Sequence, residues 1–222
     1  MTEIEVRDFE PGDRGAVRHI CYLTGYMGAP VDWYWRDEES FADMFCGYYT
    51  DREPESTLVA VTNGEVKGYL LGCRDSSRAW DPGAVAARHV LRRGIAFRPG
   101  TAGIIWRSIA DIVVDTARRR VDPRRYSFSD PDYPAHLHMN LLPELRGTGT
   151  GGVLMRRWLD RLRSESVRGC HLQTKAENTN AIGFFEAMGF ARHRDPVLAP
   201  GERTPDGERT YIQTMVQLLP GS

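Results

Sequence analysis

Apolar positions along this chain follow two periods, and the switches between them outline its elements. Residues 4–8 alternate as a short strand, and residues 11–23 then carry Ala16, Val17, Ile20, Cys21 and Leu23 at helical spacing. Residues 26–49 are dense in aromatics, with Trp33, Tyr34, Trp35, Phe41, Phe45, Tyr48 and Tyr49. They predict a second helix with its lead-in loop, packed either on the core or over a substrate, with core and rim packing favoured because such rings bury much area wherever they sit. Residues 57–62 and 65–73 flank Asn63-Gly64. Both turn positions tolerate positive φ, so an antiparallel hairpin is expected.

Beyond Arg74 the pattern changes. Loop chemistry at Asp75-Ser76-Ser77 and Asp81-Pro82-Gly83 gives way to helices over 84–93 and 101–120, separated by Phe97-Arg98-Pro99-Gly100. In the second helix Ile105, Ile109, Ile112 and Val113 form an apolar stripe that should dock on something. Residues 135–142 read as a strand with His136, His138 and Asn140 on one face and Leu137, Met139 and Leu141 on the other. A helix over 153–162 places Leu154 and Trp158 on one apolar line and Met155, Leu159 and Leu162 on its neighbour. A strand at 170–175 precedes Asn178-Thr179-Asn180, an N-cap for a helix over 181–188 that Gly189 closes in the left-handed conformation. Residues 190–192 and 211–218 are the last predicted strands, joined by an exposed, turn-rich stretch over 195–208.

Composition narrows the picture. With 222 residues and 41% hydrophobic content, the chain can bury a sizeable core as one large domain or a domain with an insertion. A net charge of −1 gives no general attraction to nucleic acid or anionic membrane. No long apolar run of roughly 18 residues occurs, and the polar start lacks the layout of a signal peptide. A cytoplasmic location without a membrane partner is expected. Cys21, Cys46, Cys73 and Cys170 are far apart and read as buried thiols, with no metal site and no disulfide framework. One region is electrostatically uneven: residues 84–125 hold ten arginines against Asp111, Asp115 and Asp122. A solvated helix face accounts for this, or the attraction of an acidic substrate or of cofactor phosphates. Nucleic-acid binding ranks lower, since no recognition motif accompanies the arginines.

The most chemically specific stretch runs from Leu141 to Gly152, LLPELRGTGTGG. Alternating glycines with small hydroxyl residues between them expose successive main-chain N–H groups at a helix start, an arrangement suited to a diphosphate. A P-loop is excluded, because no Gly-Lys-Ser/Thr follows. Gly147, Gly149 and Gly152 fit a dinucleotide fingerprint as letters, but the preceding strand carries polar residues and ends four residues too early.

Arg146-Gly147-Thr148-Gly149-Thr150-Gly151, led in by Leu142-Pro143, resembles the pyrophosphate-binding signature of the GNAT acetyltransferase superfamily, Gln/Arg-x-x-Gly-x-Gly/Ala. Asn178 to Phe190, NTNAIGFFEAMGF, resembles a second segment of that family, in the right order and at the right distance. The resemblance implies one GNAT domain over 1–222 of mixed α/β (α+β) type, with a helical insertion at about 75–132. Its central sheet would be mostly antiparallel, splayed at a cleft for acetyl-CoA and covered by helices on both faces. The pantetheine arm would pair with main chain near Leu141 and Leu142, and the diphosphate would sit on Arg146, Gly147, Thr148, Gly149, Thr150, Gly151 and Gly152. Asn178 would reach the pantetheine, while Phe184 and Phe185 would line its sulfur end. A narrower resemblance, carried by Cys21 to Gly25, by Tyr133 to His138 and by the insertion, is to the acetyltransferase-like domain at the C-terminus of O-GlcNAcases and its bacterial relatives.

Acetyl transfer needs a deprotonated amine, a polarised thioester and a proton for the departing thiolate. His138 and His136 are the candidate bases, at an ordinary pKa of about 6.5, and Asn140 can orient a substrate or a water. Where many family members carry a tyrosine to protonate the sulfur this chain has Phe185, so either Tyr126, Tyr133, Tyr211 or a water serves, or the thiolate leaves unassisted. Two functional classes follow. One is an N-acetyltransferase in which an amine acceptor attacks directly in a ternary complex; the other is an acetyl-CoA-binding pseudoenzyme that senses or scaffolds. Either would act as a monomer or homodimer.

Overall fold

Asn63 and Gly64 both take positive φ, 52° and 77°, and the tight turn they make joins β2 (Thr57–Thr62) to β3 (Glu65–Cys73) as an antiparallel pair. The computed structural model describes residues 3–97, 101–121 and 128–219. Around that hairpin a seven-stranded sheet is laid out in the order β1-β2-β3-β4-β5-β7-β6, with β1 at Ile4–Asp8, β4 at Ala135–Leu141 and β5 at Gly169–Lys175. Strands β6 (Ala191–Arg203) and β7 (Arg209–Leu218) complete it. Every neighbouring pair is antiparallel except β4 and β5, which run parallel.

Helices cover both faces. On one side lie α1 (Arg14–Thr24), α2 (Glu38–Phe45) and α3 (Gly47–Arg52). There Val17, Ile20, Cys21 and Phe41 pack on Val59, Val61, Tyr69 and Leu71 of β2 and β3. The aromatic stretch therefore makes two helices, α2 and α3, where the sequence pattern predicts one. Asp37 starts α2 by accepting from the Ser40 N–H at 2.9 Å.

On the opposite face α4 and α5 are not involved; the cover comes from α6 (Thr150–Ser164) and α7 (Thr179–Ala187), numbered after α4 (Pro82–Arg93) and α5 (Ala102–Ala117) of the insertion. The expected stripes of α6 hold: Leu154, Met155, Trp158, Leu159 and Leu162 are all buried against Leu58, Ala60, Leu70 and Leu172. Each such side chain contributes about 1.5–3 kcal/mol by leaving water. Gly72 makes room for Trp158, since a Cβ there would meet the indole at 2.4 Å and the Ser56 carbonyl at 2.7 Å.

Two expectations need correction. Residues 195–208 are not an exposed loop, because β6 continues to Arg203 through two register irregularities and only the short turn before Arg209 joins it to β7. The apolar stripe of α5 does not dock as a unit. Ile105 is buried, but Ile109, Ile112 and Val113 remain 42%, 40% and 62% exposed. Ser108 and Ile112 sit close against Gly201 of β6, and charge adds to that contact. Asp111 takes a bidentate pair from Arg203 at 2.7 and 2.8 Å and a further bond from Arg209 at 2.9 Å, and Asp115 stands 3.0 Å from Arg209. Acids of the insertion thus neutralise arginines of the β6–β7 hairpin. All four cysteines are free and buried, as expected.

Candidate functional site

The site begins where the parallel pair parts. Strands β4 and β5 are paired only at Ala135↔Cys170 and His136↔His171, while β4 stays paired to β3 as far as Leu141↔Gly68. From Leu137 onward one edge of β4 has lost its neighbour, which opens a wedge-shaped cleft. The Leu142 N–H is taken by the Lys67 carbonyl of β3 at 2.9 Å. Main-chain groups alternate in direction along a strand, so those of Met139 and Leu141 face the cleft. Of the two residues expected to receive a pantetheine arm, Leu141 therefore offers its main chain and Leu142 does not offer its N–H.

At the mouth of that cleft the glycine loop turns into α6. Gly147 and Gly149 adopt left-handed backbones, φ 74° and 85°, and Gly149 is the N-cap of α6 with no side chain capping it. A Cβ at either glycine would meet nothing within 4 Å. The space is open, and it is φ that calls for glycine. The first helical bond runs from the Val153 N–H to the Gly149 carbonyl; among the described residues the N–H groups of Gly147, Thr148, Gly149, Thr150, Gly151 and Gly152 donate to no protein atom. Thr150 is braced by a 2.6 Å hydroxyl contact to Thr148, whose own hydroxyl donates to the Leu145 carbonyl at 2.8 Å. Bare amides at a positive helix end, held open by glycine and braced by threonine, fit a diphosphate.

Arg146 latches this loop in place. Its Nε donates to the Leu141 carbonyl at 3.1 Å and its Nη2 to the Gly28 carbonyl at 2.6 Å, tying the loop to the turn after α1. Gly28, at φ 86°, is the residue whose added Cβ would strike that guanidinium, at 3.0 Å.

The second motif converges on the first. A Cβ built at Gly151 would lie 3.4 Å from the Phe184 ring and 3.5 Å from Leu141, so α6, α7 and β4 meet there. Asn178 caps α7, its Oδ1 accepting from the Ala181 N–H at 3.3 Å, which leaves its side-chain amide group to reach elsewhere. Phe184 is the ring beside the loop. Phe185 points into the main core and packs on Phe190, only 7% exposed.

The polar face of β4 is built differently from what sequence alone suggested. His136 is bonded at both ring nitrogens, Nε2 to the Tyr49 hydroxyl and Nδ1 to the Ser76 hydroxyl, each at 2.7 Å. Because Ser76 donates its own proton to the Pro134 carbonyl at 2.7 Å, the Nδ1–H must donate to Ser76, and Tyr49 then donates to Nε2. Burial, and next the His171 imidazole 5.5 Å away, push His136 down to about 3. It is neutral, its lone pair is engaged, and it is ill-suited to take a proton.

His138 is better placed. Its Nδ1 lies 3.5 Å from the Phe45 carbonyl, Nε2 makes no hydrogen bond among the described residues, and burial lowers its pKa against the opposing pull of that carbonyl. Tyr69 and Phe45 hold the ring edge-on. Asn140 donates to the Tyr69 hydroxyl at 3.0 Å.

Tyr49, Tyr69 and Ser76 were missed by reading the sequence, since their importance comes from pairing across the fold. The register Tyr69↔Asn140 would have exposed one of them had the β3–β4 partnership been known. Of the candidate proton donors, Tyr126 lies outside the described residues. Tyr133 stands by His193 and Phe128, and Tyr211 lines a cavity with Arg209 and Asp115.

Across the cleft's other rim, Tyr26 stacks edge-on with Trp33 at 5.1 Å. Burial raises its pKa first, and the charges of Glu177, Asp206 and Glu202 raise it further, so the turn after α1 faces an acidic rim formed by the end of β5 and the β6–β7 turn.

A mostly antiparallel sheet that splays between its one parallel pair, with a bare-amide loop at the mouth, defines an acetyltransferase fold. The chain belongs to the acetyltransferase (GNAT) family, whose model matches residues 26–190. Among solved structures it is similar to SsHAT, at 27% identity with a TM-score of 0.68, covering 98% of this chain and 99% of that one. Its fold is also similar to that of the polyamine N-acetyltransferase of Drosophila melanogaster, at 18% identity and TM-score 0.55, covering 98% and 100%. A third likeness is to yncA from Salmonella typhimurium, solved with its cofactor acetyl-CoA, at 15% identity and TM-score 0.58, covering 99% and 96%. No helix among the described residues is long and apolar enough to cross a membrane.

Proposed function

We propose that this protein is an acetyl-CoA-dependent N-acetyltransferase whose acceptor is a positively charged amine. The observation that carries the reading is the run of six unbonded amides from Gly147 to Gly152 at the mouth of the β4–β5 cleft. They fit a diphosphate, and the main-chain edge at Met139 and the Leu141 N–H, whose own carbonyl is held by Arg146, fits an extended pantetheine arm. When bound, acetyl-CoA supplies the acetyl group as an activated thioester.

The chain's own residues do the rest. The acceptor ammonium first gives one proton to water, and Nε2 of His138 accepts the second, which the nitrogen loses as its bond to the carbonyl carbon forms and the carbon–sulfur bond breaks. Tyr69 fixes Asn140, whose position opposite Tyr69 keeps it facing the cleft-side polar layer. Tyr49 and Ser76 hold His136 neutral and immobile as the floor of that layer. No acid occupies position 185, so the thiolate leaves to water or unassisted, its pKa of about 8.5 making that feasible. Glu202 is paired with Lys175, and the other carboxylates of the rim near Tyr26, Glu177 and Asp206, favour an ammonium-bearing acceptor over a neutral or anionic one. A polyamine and a lysine-containing peptide are the two acceptor classes of that charge. The narrower likeness to the O-GlcNAcase-associated domains is part of this proposal and rests on the sequence segments alone.

The test is release of free thiol from acetyl-CoA across a panel of spermidine, a lysine-rich peptide, glucosamine and glutamate. Turnover is expected with the first two. Binding of acetyl-CoA without turnover on any amine would overturn the transferase reading in favour of a non-catalytic binder.

A further inference from the structure

Away from the cleft, a cavity of about 570 Å³ opens between the C-terminal end of α5 and the β6–β7 hairpin, lined by Asp115, Arg119, Arg120, Pro196, Val197, Leu198, Arg209 and Tyr211. Its volume is that of a small-molecule site. Nothing in the transfer chemistry uses it.

The backbone at its edge is unusual. Helix α5 ends in a double turn in which the Arg119 N–H bonds the Thr116 carbonyl and the Arg120 N–H bonds the Asp115 carbonyl, the pattern that places glycine at its left-handed residue. Here that residue is Arg119, at φ 53°. A bulky cation holds a position where glycine would relieve the strain, and among the described residues its guanidinium has no ion-pair or hydrogen-bond partner. Ser166 closes α6 in the same way at φ 56°, so it is the unpartnered guanidinium at the cavity's edge, more than the backbone, that bears on binding.

The inner wall carries the second observation. Asp115 is fully buried, yet neither carboxylate oxygen accepts a hydrogen bond; Arg209 stands 3.0 Å from Oδ2 and Arg120 3.8 Å from Oδ1, both out of hydrogen-bonding line. Nη1 of Arg209 is likewise buried out of hydrogen-bonding line, although it stands 2.8 Å from Asp111 Oδ2 as an ion pair. Three guanidiniums thus face one carboxylate across the cavity, beside the apolar side chains of Val197 and Leu198 and the half-exposed Tyr211 ring. Arg209 is held by Asp111 and Asp115, so the positive excess comes from the exposed Arg119 and Arg120, and that excess beside an apolar wall calls for an oxyanion attached to an apolar body.

We infer that this cavity is a second ligand site, separate from the transfer cleft, that binds a small phosphate- or carboxylate-bearing molecule with an apolar group. The oxyanion sits between Arg119, Arg120 and Arg209, and the apolar group lies on Val197, Leu198 and Tyr211.

The experiment is calorimetric titration with phenyl phosphate, inorganic phosphate and phenylacetate at low ionic strength. Saturating CoA is present so that the glycine loop is filled. Binding of phenyl phosphate or phenylacetate is expected, and whichever binds identifies the oxyanion. Inorganic phosphate should bind the same site about fivefold or more weakly than phenyl phosphate if that arm binds, for want of the apolar contact. The double variant Arg119→Gln, Arg120→Gln, both on exposed side chains, should weaken the aromatic ligand by at least about tenfold while leaving CoA affinity unchanged and the protein folded, with a modest fall in melting temperature from the lost charge beside Asp115. The inference is overturned if neither aromatic probe binds, if CoA abolishes their binding, or if the double variant binds them as well as the native protein. It does not depend on the transferase reading. Were CoA itself not to bind, the same titrations run on the free protein with the same variant.

Discussion

The Tyr49 hydroxyl donates to Nε2 of His136 across 2.7 Å, joining α3 to the middle of the sheet and occupying the lone pair a general base would need. Two histidines that look equivalent in sequence thereby acquire different roles. Tyr49→Phe or His136→Gln should lower stability by about 1 kcal/mol, the worth of a part-buried hydrogen bond, and leave kcat within a few-fold. His138→Gln should lower kcat by about a hundredfold with little change in KM for acetyl-CoA. Thermal unfolding and thiol-release assays on the three variants check this, and a reversal of the two histidines' effects would reassign the base.

His136 also makes stability depend on pH in a definite direction. Its pKa falls from the ordinary 6.5 to about 3 on folding, so between those values the unfolded chain binds a proton that the folded chain refuses. The stabilisation is complete above pH 6.5 and is lost as pH drops toward 3, at up to about 1.4 kcal/mol per pH unit. His138 and His171, both lowered by burial, act in the same sense. Urea midpoints should therefore fall between pH 7 and pH 5, and His136→Gln should flatten that slope. An unchanged slope would show that His136 is not held neutral.

Asp111 is the charged fastening of the insertion. Removing it as Asp111→Ala leaves Arg203 and Arg209 without their shared partner. The expected loss is about 2 kcal/mol, less than the ~3–5 for a fully buried pair, because both guanidiniums keep some contact with water. Hydrogen exchange should rise along α5 while that of α6 is unaffected. Equal protection of α5 in the variant would mean that its apolar contacts suffice.

Phe185 supplies no proton. Phe185→Tyr should raise kcat on an amine acceptor if the leaving thiolate lacks an acid, and should destabilise by about 1 kcal/mol because the ring is nearly buried and its new hydroxyl is poorly solvated. Steady-state rates and melting temperature read the two effects separately. A rate unchanged by the phenol would show that a hydroxyl at position 185 stays with Phe190 in the core and does not serve the departing sulfur.

What was legible in the sequence was local. Asn63-Gly64 dictated its hairpin, Asn178 and Gly189 bounded α7, and Gly147 to Gly152 announced a bare helix start, because each depends only on nearby backbone geometry. The long-range partners were not legible. Nothing in the spacing of Tyr49, Ser76 and His136 shows that they meet, since 87 and 60 residues separate the two hydroxyls from the imidazole. The same holds for α5: its apolar periodicity predicted docking, but only Ile112 of the exposed stripe packs on Gly201 of β6, and the rest of the contact is made by Asp111 and Asp115 meeting arginines of β6 and β7. Register irregularities likewise hid most of β6 within what read as a loop.

The central claim is that main-chain amides of the glycine loop hold the diphosphate. Calorimetric titration of acetyl-CoA into the native protein and into Gly149→Val tests it, because Gly149 sits at φ 85° at the head of α6 and its Cβ would meet no protein atom. The account predicts binding by the native protein and a loss of at least about tenfold in the variant, from backbone strain and from a side chain thrust into the anion's place. Acetyl-CoA binding equally well to a folded Gly149→Val protein, or not at all to the native one, would contradict it.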